Sequence, residues 1–213
     1  MTTVLVLGAT SPTAQAFIRL LQTEYPDVNL KLFARNPSRL PEDQREKYSI
    51  SVGDGDDYDA YVTALDGVDY IYNSIGGVKT GPYTQKLIRA IKDTNTPIKK
   101  VVDISAGGIY GEYQSGASLY LSAVRFMYPK YTKNQLSKLD WYRESGLNFT
   151  IFRPGLIKDG PETQIITHTP EYRKIDKNEF DINRTTFARA AANAMFNGDY
   201  NNQSVSVSNG APL

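Results

Sequence analysis

The feature that most constrains this chain is a junction near its start. The apolar run Val4-Leu5-Val6-Leu7 stops at Gly8, and from Thr13 onward Ala14, Phe17, Ile18 and Leu21 recur at helical spacing behind Pro12. An unbroken apolar run of this length reads as a strand buried on both faces, the habit of central strands in parallel sheets. Proline suits the first turn of a helix, where its missing N–H costs nothing. A buried strand turned tightly into a helix commits the chain to α/β architecture, because the next parallel strand is reached only by a crossover.

The alternation then repeats. Strands are predicted over residues 30–33, 49–52, 69–72, 100–104 and 149–152, and helices over 59–65, 84–93 and 132–144, the last closing at Ser145-Gly146 with glycine as its left-handed cap. This is a Rossmann-type doubly wound α/β fold, with the parallel sheet expected to be complete at the sixth strand. Beyond Arg153-Pro154-Gly155 the pattern weakens to a polar segment over 164–169, an alanine-rich helix over 185–196 and a short strand over 204–208. No internal repeat or linker divides the chain. The expectation is one domain, a core of about residues 1–155 with a small C-terminal elaboration on the substrate side.

Composition narrows the function classes. The 24 basic and 23 acidic residues nearly cancel, which argues against nucleic-acid or membrane binding by bulk charge. The absence of cysteine excludes disulfides, thiolate metal sites and thiol catalysis, and fits a cytoplasmic protein. His168 is the single histidine, so no histidine-based metal cluster can form, and it is expected to be a solvated loop residue.

The turn Gly8-Ala9-Thr10-Ser11-Pro12-Thr13 occupies the position where a dinucleotide-binding fold brings a pyrophosphate onto a helix N-terminus. Serine and alanine stand at positions 11 and 14, where the usual fingerprint has glycine, so hydroxyls of Thr10, Ser11 and Thr13 are expected to assist the backbone amides. Past the second strand comes Arg35-Asn36-Pro37-Ser38-Arg39. An acidic residue there would bind both ribose hydroxyls of NAD, whereas Arg35, Ser38 and Arg39 suit the 2′-phosphate of NADP. The expected cofactor is NADP(H), with NAD(H) second. Tyrosines crowd residues 110–142, and Tyr110, Tyr113 and Arg153, in or after loops at the C-terminal ends of strands five and six, are the expected acceptor contacts.

Together, Gly8-Ala9-Thr10, Ala34-Arg35-Asn36-Pro37-Ser38, Gly53-Asp54, Ser145-Gly146-Leu147 and Arg153-Pro154-Gly155 resemble the atypical short-chain dehydrogenase/reductase group, in its NAD(P)H-binding branch of biliverdin-IX-beta and flavin reductases and NmrA-like proteins. The resemblance covers about three quarters of the chain. It implies Asp54 near the adenine, and Asn73, Ile75 and Gly76 along the adenine-ribose and pyrophosphate. It also implies Ser105 after the fifth strand and Tyr131 on the following helix as catalytic residues. The lysine four positions after that tyrosine is replaced here by Gln135, which can hydrogen-bond but carries no charge to lower a tyrosine pKa. Lys133 and Lys138 point about 160° and 60° away from it on a helix.

The leading expectation is an NADP(H)-dependent reductase of a small flat acceptor such as a flavin, quinone or aromatic carbonyl compound, in which the acceptor's proton comes from water. A second is an NADP(H)-binding redox sensor of the NmrA type that acts on a regulatory protein partner. A third, an epimerase or dehydratase of a nucleotide sugar, expects the complete tyrosine-lysine pair and a larger C-terminal lobe.

Overall fold

The computed structural model describes residues 1–113, 126–172 and 179–213. β1 (Thr2–Leu7) lies inside the sheet, with β2 (Val28–Ala34) parallel on one side and β4 (Tyr70–Asn73) parallel on the other. Its side chains alternate between two cores, Val4 and Val6 into one and Leu5 and Leu7 into the other. This is the physical reason the run has no polar residue.

α1 (Pro12–Glu24) and α6 (Arg184–Phe196) cover the first face, where Phe17 stacks on Tyr72 at 4.1 Å and Phe187 meets Phe152 edge-on at 5.6 Å. Buried alanines 188, 190, 191, 192 and 194 let α6 approach closely. Arg189 fastens it by pairing with Glu24 on α1 and with Glu162. α3 (Tyr58–Ala64), α4 (Thr80–Thr94) and α5 (Pro129–Ser145) cover the second face through Tyr61, Leu87, Ile91, Leu139 and Tyr142. α5 ends at Gly146, whose φ of 75° is the left-handed cap expected of it.

The full sheet has eight strands in the order β3-β2-β1-β4-β5-β6-β10-β8, with β3 spanning Ser49–Val52, β5 Lys100–Ile104, β6 Phe149–Pro154, β8 Thr163–His168 and β10 Gln203–Pro212. The sheet is therefore not complete at the sixth strand. β10 adds to β6 in parallel, and β8 adds to β10 in antiparallel. The segment read as polar over 164–169 is β8, an edge strand whose residues are mostly half-buried, which blurs the alternation a sequence pattern needs. β7 (Leu156–Lys158) and β9 (Asp181–Asn183) form a separate parallel pair. α2 (Glu42–Lys47) was also absent from the sequence expectation, because of its six residues only Gln44 is buried and no apolar stripe announces it. Among the described residues, no helix is long and apolar enough to cross a membrane.

Candidate cofactor and catalytic site

At the C-terminal ends of β1 to β4 lies a cavity of about 510 Å³. Gly8, Thr10, Ser11 and Pro12 form its floor at the start of α1. Gly8 has φ +73°, and a Cβ there would stand 3.1 Å from the backbone nitrogen of Ile75, so the β1 and β4 loops approach closely only through glycine. The amides of Gly8 and Ala9 both donate to the carbonyl of Phe33, which ties the turn to β2. Ser11 caps α1 by accepting from the Ala14 amide at 3.0 Å, and its hydroxyl also shares a 2.8 Å hydrogen bond with Ser74. Backbone donors and the positive end of the helix dipole thus meet at the cavity floor, a setting that favours an anion.

The opposite wall carries Arg35, Asn36, Arg39, Gly53, Asp54, Gly55 and Tyr83, and Ser74, Ile75 and Gly76 complete the rim. Arg35 and Arg39 are exposed and form no ion pair among the described residues. No acid lines the end of β2. Asp54 lines the cavity and also caps its own turn, accepting from the Asp56 amide at 2.7 Å.

Three expected cofactor residues sit elsewhere. Ser38 does not line the cavity, since its hydroxyl and amide are both given to Asn36 Oδ1, at 2.7 and 3.2 Å, in the 3-10 turn Pro37–Arg39. Asn36, which makes that turn, lines the cavity in its place. Asn73 is buried and accepts from the Ile75 amide at 3.2 Å, so it shapes the loop from beneath. Thr13 lies inside α1, outside the lining. Phe33, Ser74 and the two glycines flank positions the sequence had pointed to. Tyr83 arrives from α4 by tertiary packing alone and left no sequence signal.

The expected catalytic residues do converge, apart from that cavity. The Ser105 hydroxyl donates to Gln135 Oε1 at 2.8 Å, and Gln135 Nε2 donates to Thr80 Oγ1 at 2.8 Å. Tyr131 lies one turn before that glutamine on the same stripe of α5. Burial pushes the Tyr131 hydroxyl above its ordinary pKa, with the Gln135 hydrogen bond opposing, so it is a neutral phenol at physiological pH. Gln135 is 3% exposed and spends both ends of its amide inside the protein.

Beneath them lies a buried group centred on an ion pair. Lys138 is fully buried and donates to Asp103 Oδ1 and to the Ile104 carbonyl, both at 2.9 Å. Asp103 Oδ2 accepts from the Tyr142 hydroxyl at 2.7 Å, and Thr84 is 3.5 Å from the same oxygen.

The acceptor-side expectations need correction at Arg153. Its side chain is fully buried, donating to Glu112 Oε1 at 3.2 Å and to Ser204 Oγ at 2.8 Å, with its guanidinium 4.9 Å from the Tyr110 ring centre. It is a structural tie sealed from solvent. Glu112 in turn accepts from the amides of Gly108 and Tyr110, at 3.1 and 2.9 Å, which organises the loop after β5. Tyr110 is half-buried and hydrogen-bonded to Ser204. Tyr113 is 4% exposed with its ring edge against Phe180 at 5.1 Å, so it too is packed. Residues 114–125 of the tyrosine-rich stretch lie outside the described residues. His168 is not a free loop residue, because on β8 it pairs with Glu179 and stacks on Tyr172 at 4.4 Å.

No curated protein matches the chain by sequence. Among solved structures, a short-chain dehydrogenase/reductase from Veillonella parvula in complex with NADP superposes with a TM-score of 0.82 at 20% identity, over 97% of this chain and 94% of that one. An anaerobillin reductase, ChuY, from Escherichia coli gives 0.78 at 16% identity over 98% and 97%. The oxidoreductase ylbE of Lactococcus lactis gives 0.76 at 17% identity over 100% and 93%. At these identities the likeness establishes the fold alone. A profile of NAD(P)H-binding proteins, however, matches residues 8–198, from the Gly8 turn to the end of α6 and beyond, and on that match the chain belongs to the NAD(P)H-binding family.

Proposed function

We propose that the chain is an NADP(H)-dependent oxidoreductase that reduces a small flat acceptor, such as a flavin, quinone or aromatic carbonyl compound. The observation that carries the cofactor reading is the pair of uncommitted guanidinium groups, Arg35 and Arg39, on the rim of a cavity whose floor is a helix N-terminus. Arginine pairs with a phosphate through strong charge-assisted hydrogen bonds, and the end of β2 carries arginine where an NAD-binding acid would stand. The structural relative from Veillonella parvula was solved with NADP, and ChuY is itself described as a reductase, which supports the same reading.

The residues present fit the cofactor. Gly8, Thr10 and Ser11 would hold the pyrophosphate, Arg35 and Arg39 the 2′-phosphate, and Asp54 with Tyr83 would flank the base. When bound, NADPH supplies the hydride. Tyr131 then offers a neutral hydroxyl to an acceptor oxygen or nitrogen, while the Ser105 proton stays on Gln135 Oε1. Neither hydroxyl is driven toward an anion, because Gln135 brings no charge and Lys138, on the same stripe of the helix, is spent on Asp103 and Ile104. Such a site suits an acceptor that stacks on the nicotinamide and takes its proton from water.

The test is twofold. Calorimetry of NADP+ and NAD+ with wild type and with Arg35→Asp is expected to show a preference for NADP+ that shifts toward NAD+ in the variant. Steady NADPH oxidation is expected with at least one of flavin mononucleotide, a quinone or an aromatic aldehyde. Firm cofactor binding with no turnover across that panel would favour the second reading, a redox sensor, which the sealed Gln135 amide also accommodates.

A further inference from the structure

Two layers of polar side chains run through the second core beneath the reacting end of the site. α4 contributes Thr80 and Thr84, one turn apart. β5 contributes Asp103, and Ser105 follows the strand's last residue, two positions on and so on the same side of the sheet. α5 contributes Gln135, Lys138 and Tyr142, whose spacings of three and four put them on one stripe with Tyr131. The upper layer is neutral: Thr80, Ser105 and Gln135. The lower layer holds the buried ion pair: Thr84, Asp103, Lys138 and Tyr142. Lys138 joins the layers, because besides Asp103 it binds the carbonyl of Ile104, the residue immediately before Ser105.

A buried ion pair is weak as a source of stability, since apolar residues of the same volume often do as well, so its presence asks for another explanation. Here one follows from geometry. The last carbonyl of β5 is held by a charged donor that is itself locked by Asp103, and Asp103 is locked by Tyr142. The direction of the Ser105 hydroxyl, and through it the orientation of the Gln135 amide, depends on that anchor.

We infer that Lys138 and Asp103 are positioning residues for the nicotinamide end of the site: the pair fixes the end of β5 so that Ser105 and Gln135 stay in register with Tyr131. The inference rests on the proposed NADP(H) reading for its ligand, but its geometric half does not. Lys138 does not stand in for the displaced family lysine by touching the cofactor. It acts from the layer below.

The test uses the full chain and the double variant Asp103→Leu/Lys138→Met, which removes both charges together and so leaves no unpaired charge. Side-chain amide exchange of Gln135, read by NMR in the cofactor-free protein, is expected to accelerate about tenfold, the loss of roughly one hydrogen bond. Affinity for NADPH is expected to fall about tenfold, while affinity for adenosine 2′,5′-bisphosphate, which lacks the nicotinamide, stays at the wild-type value. Unchanged Gln135 exchange overturns the inference whatever the cofactor does. Faster exchange with NADPH and bisphosphate affinities both unchanged, or both reduced alike, overturns the part concerning the nicotinamide end. If wild type binds neither ligand, the proposed function has failed, and the exchange measurement still decides the geometric claim. Tyr142→Phe, which deletes one hydroxyl bound to Asp103, provides the same exchange reading at smaller amplitude should the double variant not fold.

Discussion

Replacing Glu112 by glutamine changes one atom and almost no volume, yet the structure predicts a large loss of stability. The carboxylate is fully buried and accepts three hydrogen bonds, from Arg153 Nε and from the amides of Gly108 and Tyr110. In Glu112→Gln the new NH2 group faces donors where an acceptor is required, and the Arg153 guanidinium loses its counter-charge. Breaking a buried pair from one side costs about 3–5 kcal/mol. For a chain of this length each kcal/mol lowers Tm by roughly 2–4 °C, so the melt should fall by about 6–20 °C. Circular dichroism at neutral pH measures it directly. Arg153→Met should fall comparably, and the two variants combined should lose less than their sum, because the second change removes the orphan left by the first. A Glu112→Gln melt within about 2 °C of wild type would refute the reasoning, as would a loss of acceptor affinity in Arg153→Met at unchanged Tm.

Gly8→Ala forces a side chain into left-handed backbone and against the Ile75 amide, and about 1–2 kcal/mol of stability should be lost in denaturant titration together with cofactor affinity. Lys100, buried at the start of β5 against the Asp199 carbonyl and Asn201, is pushed down to about 8 by burial. Between that value and the ordinary lysine value the unfolded chain holds a proton the folded chain has released, so stability rises with pH across that window by up to about 3 kcal/mol. Denaturant midpoints between pH 7 and 10 should show that increment in wild type and not in Lys100→Met. Tyr131→Phe should slow flavin or quinone reduction by less than about tenfold, because a general acid contributes a hundredfold or more and none is required here; a larger loss would make Tyr131 the proton donor.

The parts of this molecule legible in the sequence are those set by local chemistry. Val4 to Leu7 announced a doubly buried strand because both cores demand apolar side chains there. Gly8 and Arg35 were singled out because turn geometry and charge are written in residue type, and Asp54 through the family resemblance. Ser105 was placed by following the fifth strand, and Tyr131 and Gln135 by counting back from the Gly146 cap. What escaped depends on contacts between distant segments. Ser38 and Asn36 are near neighbours of similar chemistry, and only the 3-10 turn decides which faces the cavity. Arg153 looked like a free cation until its partner Glu112, 41 residues away, came into view. Lys138 was read as rotated away from the family lysine position, and no pattern shows that Asp103 is waiting for it. β8 and β10 went unassembled because a strand's neighbours are not encoded in its own alternation.

The interleaving of β10 between β6 and β8 also sets an order of assembly. β8 precedes β10 along the chain yet sits outside it, so β8 has nothing to pair with in the sheet until residues 203–212 arrive. Until then the flank of β6 is an open strand edge, and an open edge invites pairing with another molecule. A nascent or proteolysed chain that stops short of β10 therefore retains its nucleotide half and loses its closure, leaving two adhesive strands in place of one finished rim.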